Sequence, residues 1–208
     1  MTVRRSGGSQ FVGAGYHVPS SAHPDAAALA LLAQVLVAAP SGRLHKALVE
    51  TKLATSLDGD AVSSLEPGYR IFGAVVPTEV PLEKTEAAML GVLEQLAKSP
   101  VTEAEVARAR QNLLKNIELS ANDTAALTVG LTESMAAGDW RLFFVHRDRI
   151  EKTTAAEVQS AALKYLKSSN RTVGRFIPTD TPDRAEVPLV ADIGALVKDY
   201  KGLSLIHI

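Results

Sequence analysis

Residues 41–54, SGRLHKALVETKLA, lie between an almost wholly apolar stretch and a polar, strand-like one. At 3.6 residues per turn, Leu44, Ala47, Leu48 and Thr51 share one side of a helix, while Arg43, Lys46 and Glu50 share another. The stretch therefore reads as a surface helix with one side committed to a core. Arg43 and Glu50 stand two turns apart and could bracket a neighbouring loop, but the economical reading of both is as solvated charges. The apolar side needs a sheet or helix to cover it, and the flanking sequence supplies both.

On the N-terminal side, residues 26–39 are apolar all round, with Leu29, Leu31, Leu32, Val35 and Leu36, as expected of a helix buried on every side. Pro24 falls in its first turn, Ser21 or a neighbour can cap it, and Asp25 suits the positive end of its dipole. Pro40 separates it from the 41–54 helix. Before it, Thr2 to Arg5 and Gln10 to Val18 read as two strands of a hairpin around SGGS, with Pro19 ending the second. Gly13 and Gly15 form a partial G-x-G inside that strand. No third glycine opens a helix, so they mark close packing rather than a dinucleotide site.

On the C-terminal side, Thr55 to Ser64 and Tyr69 to Val76 flank LEPG, a second hairpin with Pro67 and Gly68 at its turn. From Leu82 to Lys167 the period is helical. Met89, Val92, Leu93 and Leu96 line one helix, which Ser99-Pro100 stops. Thr102 with Glu105 forms a capping box for the next, whose inner face is Val106, Ala109, Leu113 and Ile117. A third helix carries Leu127, Leu131 and Met135 and ends near Gly138. Trp140, Phe143 and Phe144 follow as a dense aromatic group, expected in the core. Arg147 with Glu151 and Asp148 with Lys152 are spaced as exposed i, i+4 pairs. Thr154 with Glu157 caps a last amphipathic helix, and Arg171 to Ile177 returns as a strand. Residues 178–202 hold prolines and aspartates and read as an extended linker in which 191–200 can form a short helix. The closing LSLIHI, residues 203–208, reads as a truncation or sequencing scar. The pattern is that of an α/β protein (an α+β sandwich): a mainly antiparallel sheet of about five to six strands with helices packed on one face.

Composition narrows the function classes. Across 208 residues, 46% are hydrophobic and 22% charged, with a formal net charge of −1. Lys and Arg are scattered and only 5% of residues are aromatic, so no basic groove with stacking rings is expected and nucleic acid is not a partner. With no cysteine, disulfides, thiolate metal sites and cysteine nucleophiles are excluded. The apolar stretch at 26–39 is too short to span a bilayer, which takes about 20 residues, so no membrane is expected. The strand-like TVRR directly after Met1 suggests a start within a longer chain.

The five histidines, His17, His23, His45, His146 and His207, are dispersed, and none has another three or four residues away. His45 and Glu50 would point about 140° apart on an α-helix, so they are not expected to share an ion. His17 and His23 flank one strand-to-helix turn, but two ligands are too few for a metal. No G-x-S-x-G elbow, Walker loop or EF-hand loop occurs. Catalytic, cofactor-binding and metal-binding residues are therefore all expected to be absent.

The order YHVP, HPDAAALALLAQVL, SGRLHKALVETKLA, then GDWRLFFVHRDRIEKTTAAEVQ and NRTVGRFIPTD, resembles the pitrilysin and insulinase type of zinc metallopeptidase. That family carries G-R-L-x-x-x-L-x-E at the point occupied here by Gly42 to Glu50, and the resemblance covers roughly residues 1 to 185. It implies the mitochondrial processing peptidase-like fold over residues 1–177, specifically the second, non-catalytic domain of the first half. The zinc-binding H-x-x-E-H helix of that family is absent here. The resemblance accordingly implies zinc in an upstream domain rather than in this chain. It also implies peptide as substrate and, as partner, the catalytic domain of the same parent chain or of a partner subunit, this chain walling the chamber. The alternative it leaves is an inactive structural subunit of the same fold.

Overall fold

The computed structural model describes residues 1–62, 64–183, 185–189 and 192–202. Strands β1 (Thr2–Arg5), β2 (Gln10–Val18), β3 (Ser56–Asp58), β4 (Ala61–Val62), β5 (Gly68–Val76) and β6 (Arg171–Pro178) form one sheet in the order β1-β6-β2-β5-β3, with β4 also on β5. All pairings are antiparallel except β1 with β6. The 2–5 and 10–18 strands therefore do not form the expected hairpin. The strand from the far end of the chain slots between them, Val12 facing Arg175 on one side while Thr2 faces Arg175 on the other. This gives β2 a partner on both edges, with the backbone donors and acceptors of each used in the ladders. The second hairpin forms as expected, although its first arm is broken into β3 and β4 around Gly59-Asp60.

Alternation along the two long strands separates the faces. Val12, Ala14, Tyr16 and Val18 of β2, with Phe72, Ala74 and Val76 of β5, are buried on the inner face, where Tyr16 and Phe72 meet edge to face at 6.3 Å. The helices gather on that face: α1 (Ala26–Val37), α2 (Leu82–Glu94), α3 (Glu103–Ala121), α4 (Thr124–Ala136), α5 (Leu142–Lys152) and α6 (Ala155–Tyr165). Helices α2 and α6 pack near the strands, and α1 runs among α3, α5 and α6. That central position accounts for the apolar perimeter of α1, where Leu29, Leu31, Leu32, Val35 and Leu36 are all buried. Both capping boxes form as the sequence predicts, at Thr102 with Glu105 and Thr154 with Glu157.

The 41–54 stretch does not continue as an α-helix to Ala54. It makes a π-helical turn, His45–Val49, with Glu50 N donating to His45 O at 3.2 Å. Lys52 then adopts a left-handed backbone (φ 62°), and the amides of Leu53 and Ala54 turn back to Leu48 O. At its start, a Cβ on Gly42 would stand 2.6 Å from Leu36 O, so only glycine lets the turn fold this tightly against the end of α1. The apolar side faces inward as expected, with Leu44 1% and Leu48 0% exposed.

Residues 179–183, 185–189 and 192–202 are mostly exposed and include a short helix, α7 (Ile193–Val197), within the predicted linker. Residues 203–208, read from sequence as a scar, lie outside the described residues. No helix among the described residues is long and apolar enough to cross a membrane.

Candidate functional site

Arg43 is a structural tie rather than a solvated charge. Its Nε and Nη2 grip both carboxylate oxygens of Glu105 at 2.8 Å each, while Nη1 and Nη2 donate to Ser99 O (2.6 Å) and Pro100 O (2.7 Å). Glu105 also accepts from the backbone and hydroxyl of Thr102, so one carboxylate closes both the ion pair and the α3 cap. Arg43 beside it, with the Thr102 bonds adding, pulls the Glu105 carboxyl down to about 2. The sequence shows two charges two turns apart; it does not show that the turn before α3 would bring three acceptors to one of them. Glu50 is exposed and makes no matching contact with the other side of the turn.

The π-turn also changes the His45 geometry. Five residues span close to one turn of such a helix, so His45 Nδ1 and Glu50 Oε1 lie 3.9 Å apart instead of pointing apart. His23 Nδ1 accepts from Asp25 N at 3.0 Å, and His17 is exposed on the outer side of β2. Asp25 sits at the α1 N-cap without capping it. Its carboxylate is instead taken by Lys164 Nζ (2.8 Å) and Tyr165 Oη (2.7 Å), and the Lys164 bond leads in holding its pKa below the ordinary carboxylate range. His146 lies in a cleft beside Arg70, whereas His207 is outside the described residues. Among the described residues no three or more His, Asp or Glu side chains are grouped to hold a metal ion.

Two surfaces stand out. The outer face of the sheet is a shallow apolar hollow of about 340 Å³, lined by Phe11, His17, Tyr69 and Ile71. Glycines Gly174, Gly13 and Gly73 stand opposite one another across three strands at its centre. The Phe11 ring lies over Gly13 and Gly73: a Cβ on Gly73 would come within 2.5 Å of Phe11 Cζ. Of the two glycines read from sequence as close packing, Gly13 packs against that ring, a Cβ there meeting Phe11 Cε1 at 3.0 Å, whereas Gly15 makes only ordinary contacts, with Ile71 and Thr172.

The second surface is the aromatic group at the start of α5. Trp140 and Phe144 are each 45% exposed and stack edge to face at 6.0 Å, so the group is not part of the core as expected. The helix before it, α4, has no buried residue, and Met135 is 56% exposed. Both lie outboard of the buried layer, where α4 packs chiefly against α3 and α5. The expected i, i+4 pairs on α5 are also replaced: Arg147 reaches its neighbour Asp148 at 2.9 Å.

Comparison with known proteins places this arrangement. The family described as "Peptidase M16 inactive domain" matches residues 3–113. The "inactive peptidase domain of a putative zinc protease" from Bordetella parapertussis is 42% identical, with a TM-score of 0.78, over 89% of this chain and 99% of that one. A "putative zinc protease from Bordetella pertussis Tohama I" is 41% identical, with a TM-score of 0.77, over 83% and 95%. A protease from Helicobacter pylori shares the fold (TM-score 0.78) at 20% identity, this chain spanning 43% of its length. No curated protein matches the chain significantly. On the family match and the extent of the Bordetella likeness, the chain belongs to the M16 peptidase family as one of its inactive domains.

Proposed function

We propose that this domain serves a zinc-dependent endopeptidase as its non-catalytic partner, walling the chamber in which unfolded peptide is cut. The observation that carries the reading is the 42% identity, over 89% of this chain, to the inactive peptidase domain of a protein described as a "putative zinc protease". The chain contributes shape and contacts, while zinc, general base and attacking water belong to the catalytic domain, either fused to it or on a partner subunit. The open sheet face and the Trp140–Phe144 surface support this, because apolar area left uncovered in one domain is what a second domain buries. Residues 1–177 form the domain in this proposal, and 178–202 act as the linker beyond it.

Co-expression of residues 1–208 with the catalytic domain of the parent protein tests this. The two pieces should co-purify, the pair should cleave a flexible peptide, and a chelator should abolish cleavage. The isolated chain should be inert. Stoichiometric zinc, or chelator-sensitive cleavage, in residues 1–208 alone would overturn the reading, as would failure of the two pieces to associate. Co-purification without cleavage would mark an inactive structural subunit instead.

A further inference from the structure

On the helix-facing side of the sheet, at the open end of β5, a cleft of about 290 Å³ enters the helical layer. It lies at the small end of the range of ligand pockets, roughly 300 to 1,000 Å³. Its walls are apolar, with Leu29 from α1, Ile117 from α3, and Leu142 and Phe143 from the start of α5. Two cationic or cation-capable groups break that surface, Arg70 and His146.

Arg70 shares the inner side of β5 with Phe72 and Ala74, which sets a guanidinium beside the core. Its donors are largely unspent. Nη1 reaches Gly59 O only at 3.5 Å, and Nε is sealed from solvent with no partner. Among the described residues Arg70 has no ion pair; Asp60, the nearest acidic influence, accepts instead from the amide of Ala61. A buried charged donor without a partner is costly, and five N–H groups in a planar fork match a carboxylate or a phosphate, of which the singly charged carboxylate suits a small cleft with largely apolar walls. His146 makes no hydrogen bond among the described residues, and burial, with Arg149 and Arg70 adding, holds its imidazole below its ordinary pKa. The one carboxylate on the lining is that of Glu133, an exposed residue of α4.

We propose that this cleft binds a small monocarboxylate with a compact apolar body. The carboxylate pairs with the Arg70 guanidinium and accepts from His146, and the body lies against Leu29, Ile117 and Phe143. This chemistry has two sources, a free short-chain acid and the C-terminal residue of a peptide. The inference does not depend on the peptidase reading, since it rests on Arg70 and the cleft alone.

The test is a titration of the full chain, followed through the imidazole nitrogens of His146, with three probes: N-acetyl-leucine, its primary amide, and hexanoate. The expected result is saturable binding of an acid, at least ten-fold weaker binding of the amide, and an upward move of the His146 titration when the acid is bound. Arg70→Met should weaken acid binding at least ten-fold, while Arg141→Met, on the exposed surface, should leave it unchanged. Tighter binding of N-acetyl-leucine than of hexanoate identifies a peptide end as the source, and the reverse identifies a free acid; either sustains the site. Equal binding of acid and amide, unchanged binding in Arg70→Met, or no saturable binding of either acid would overturn it. The acid-to-amide comparison uses the unaltered chain, so the result stands even if Arg70→Met fails to fold.

Discussion

Helices α1 and α4 are built from similar material and meet opposite fates. AAALALLAQVLV and TAALTVGLTESMA are both rich in alanine and leucine, and neither carries more than one charge. Eight residues of α1 are buried and none of α4 is. The difference lies in the neighbours: α1 is enclosed by three helices, whereas α4 has α3 and α5 on one side and solvent on the other. Apolar content states that a helix gains from being covered; it does not say that the same chain provides the cover. In α4 the polar residues adapt to the lack of cover, Thr128 and Thr132 donating their hydroxyls back to the carbonyls four residues earlier.

Five substitutions test that contrast, from the largest effect to the smallest. Leu32→Ala, at a fully buried site in α1, should cost about 2 to 5 kcal/mol, and Leu48→Ala in the π-turn should fall in the same range. Denaturant titration checks both, and a loss below about 0.5 kcal/mol at Leu48 would show that the turn is peripheral. Arg43→Met should cost about 1 to 3 kcal/mol, because it strips a half-buried carboxylate of its partner and two carbonyls of their donor.

The same variant has a pH signature. Glu105 sits at about 2 when folded, below its usual 4.5, so the unfolded chain takes up a proton first as acid is added. The stabilisation is complete above about pH 4.5 and drains away as the pH falls through about 2. In Arg43→Met, the loss of stability between neutral pH and about pH 3 should be visibly shallower. An unchanged acid slope would mean that Arg43 does not set the Glu105 carboxyl.

Asp123→Ala removes the side chain that accepts from Ala126 N at the start of α4, at a cost of about 1 kcal/mol. The cost should be felt locally. Amide exchange should accelerate throughout α4 and remain slow in α1, since α4 lacks the buried contacts that couple a helix to global unfolding. Equal acceleration in both helices would show α4 to be part of the cooperative core. Met135→Ala should shift stability by less than about 0.5 kcal/mol, as expected at an exposed site. In a complex with a catalytic domain, any loss of affinity in Met135→Ala would locate the interface on α4 and the Trp140 surface.

Much of what depends on local chemistry was legible in the sequence. The capping boxes at Thr102 and Thr154 formed because a hydroxyl and a carboxylate three residues apart satisfy the first amides of a helix wherever it packs. The inward side of Leu44 and Leu48 and the burial of α1 followed from the apolar pattern alone. The G-R-L segment and its neighbours led to the family. The candidate cleft was not legible, because Arg70 reads as one more polar residue in a hairpin arm until the register of β5 turns it toward the helices.

Sequence by itself thus determined which segments become helix or strand, how α3 and α6 start, and which residues seek burial, since these depend on contacts within a few residues. Tertiary structure alone decided that β6 would separate β1 from β2, that Arg43 would find Glu105 and two carbonyls, and that Trp140 and Met135 would stay at the surface. Each of those outcomes depends on groups remote in sequence, so no local pattern encodes it. The i→i+5 turn that brings His45 beside Glu50 was likewise not read from the sequence, whose period suits an α-helix over the same residues.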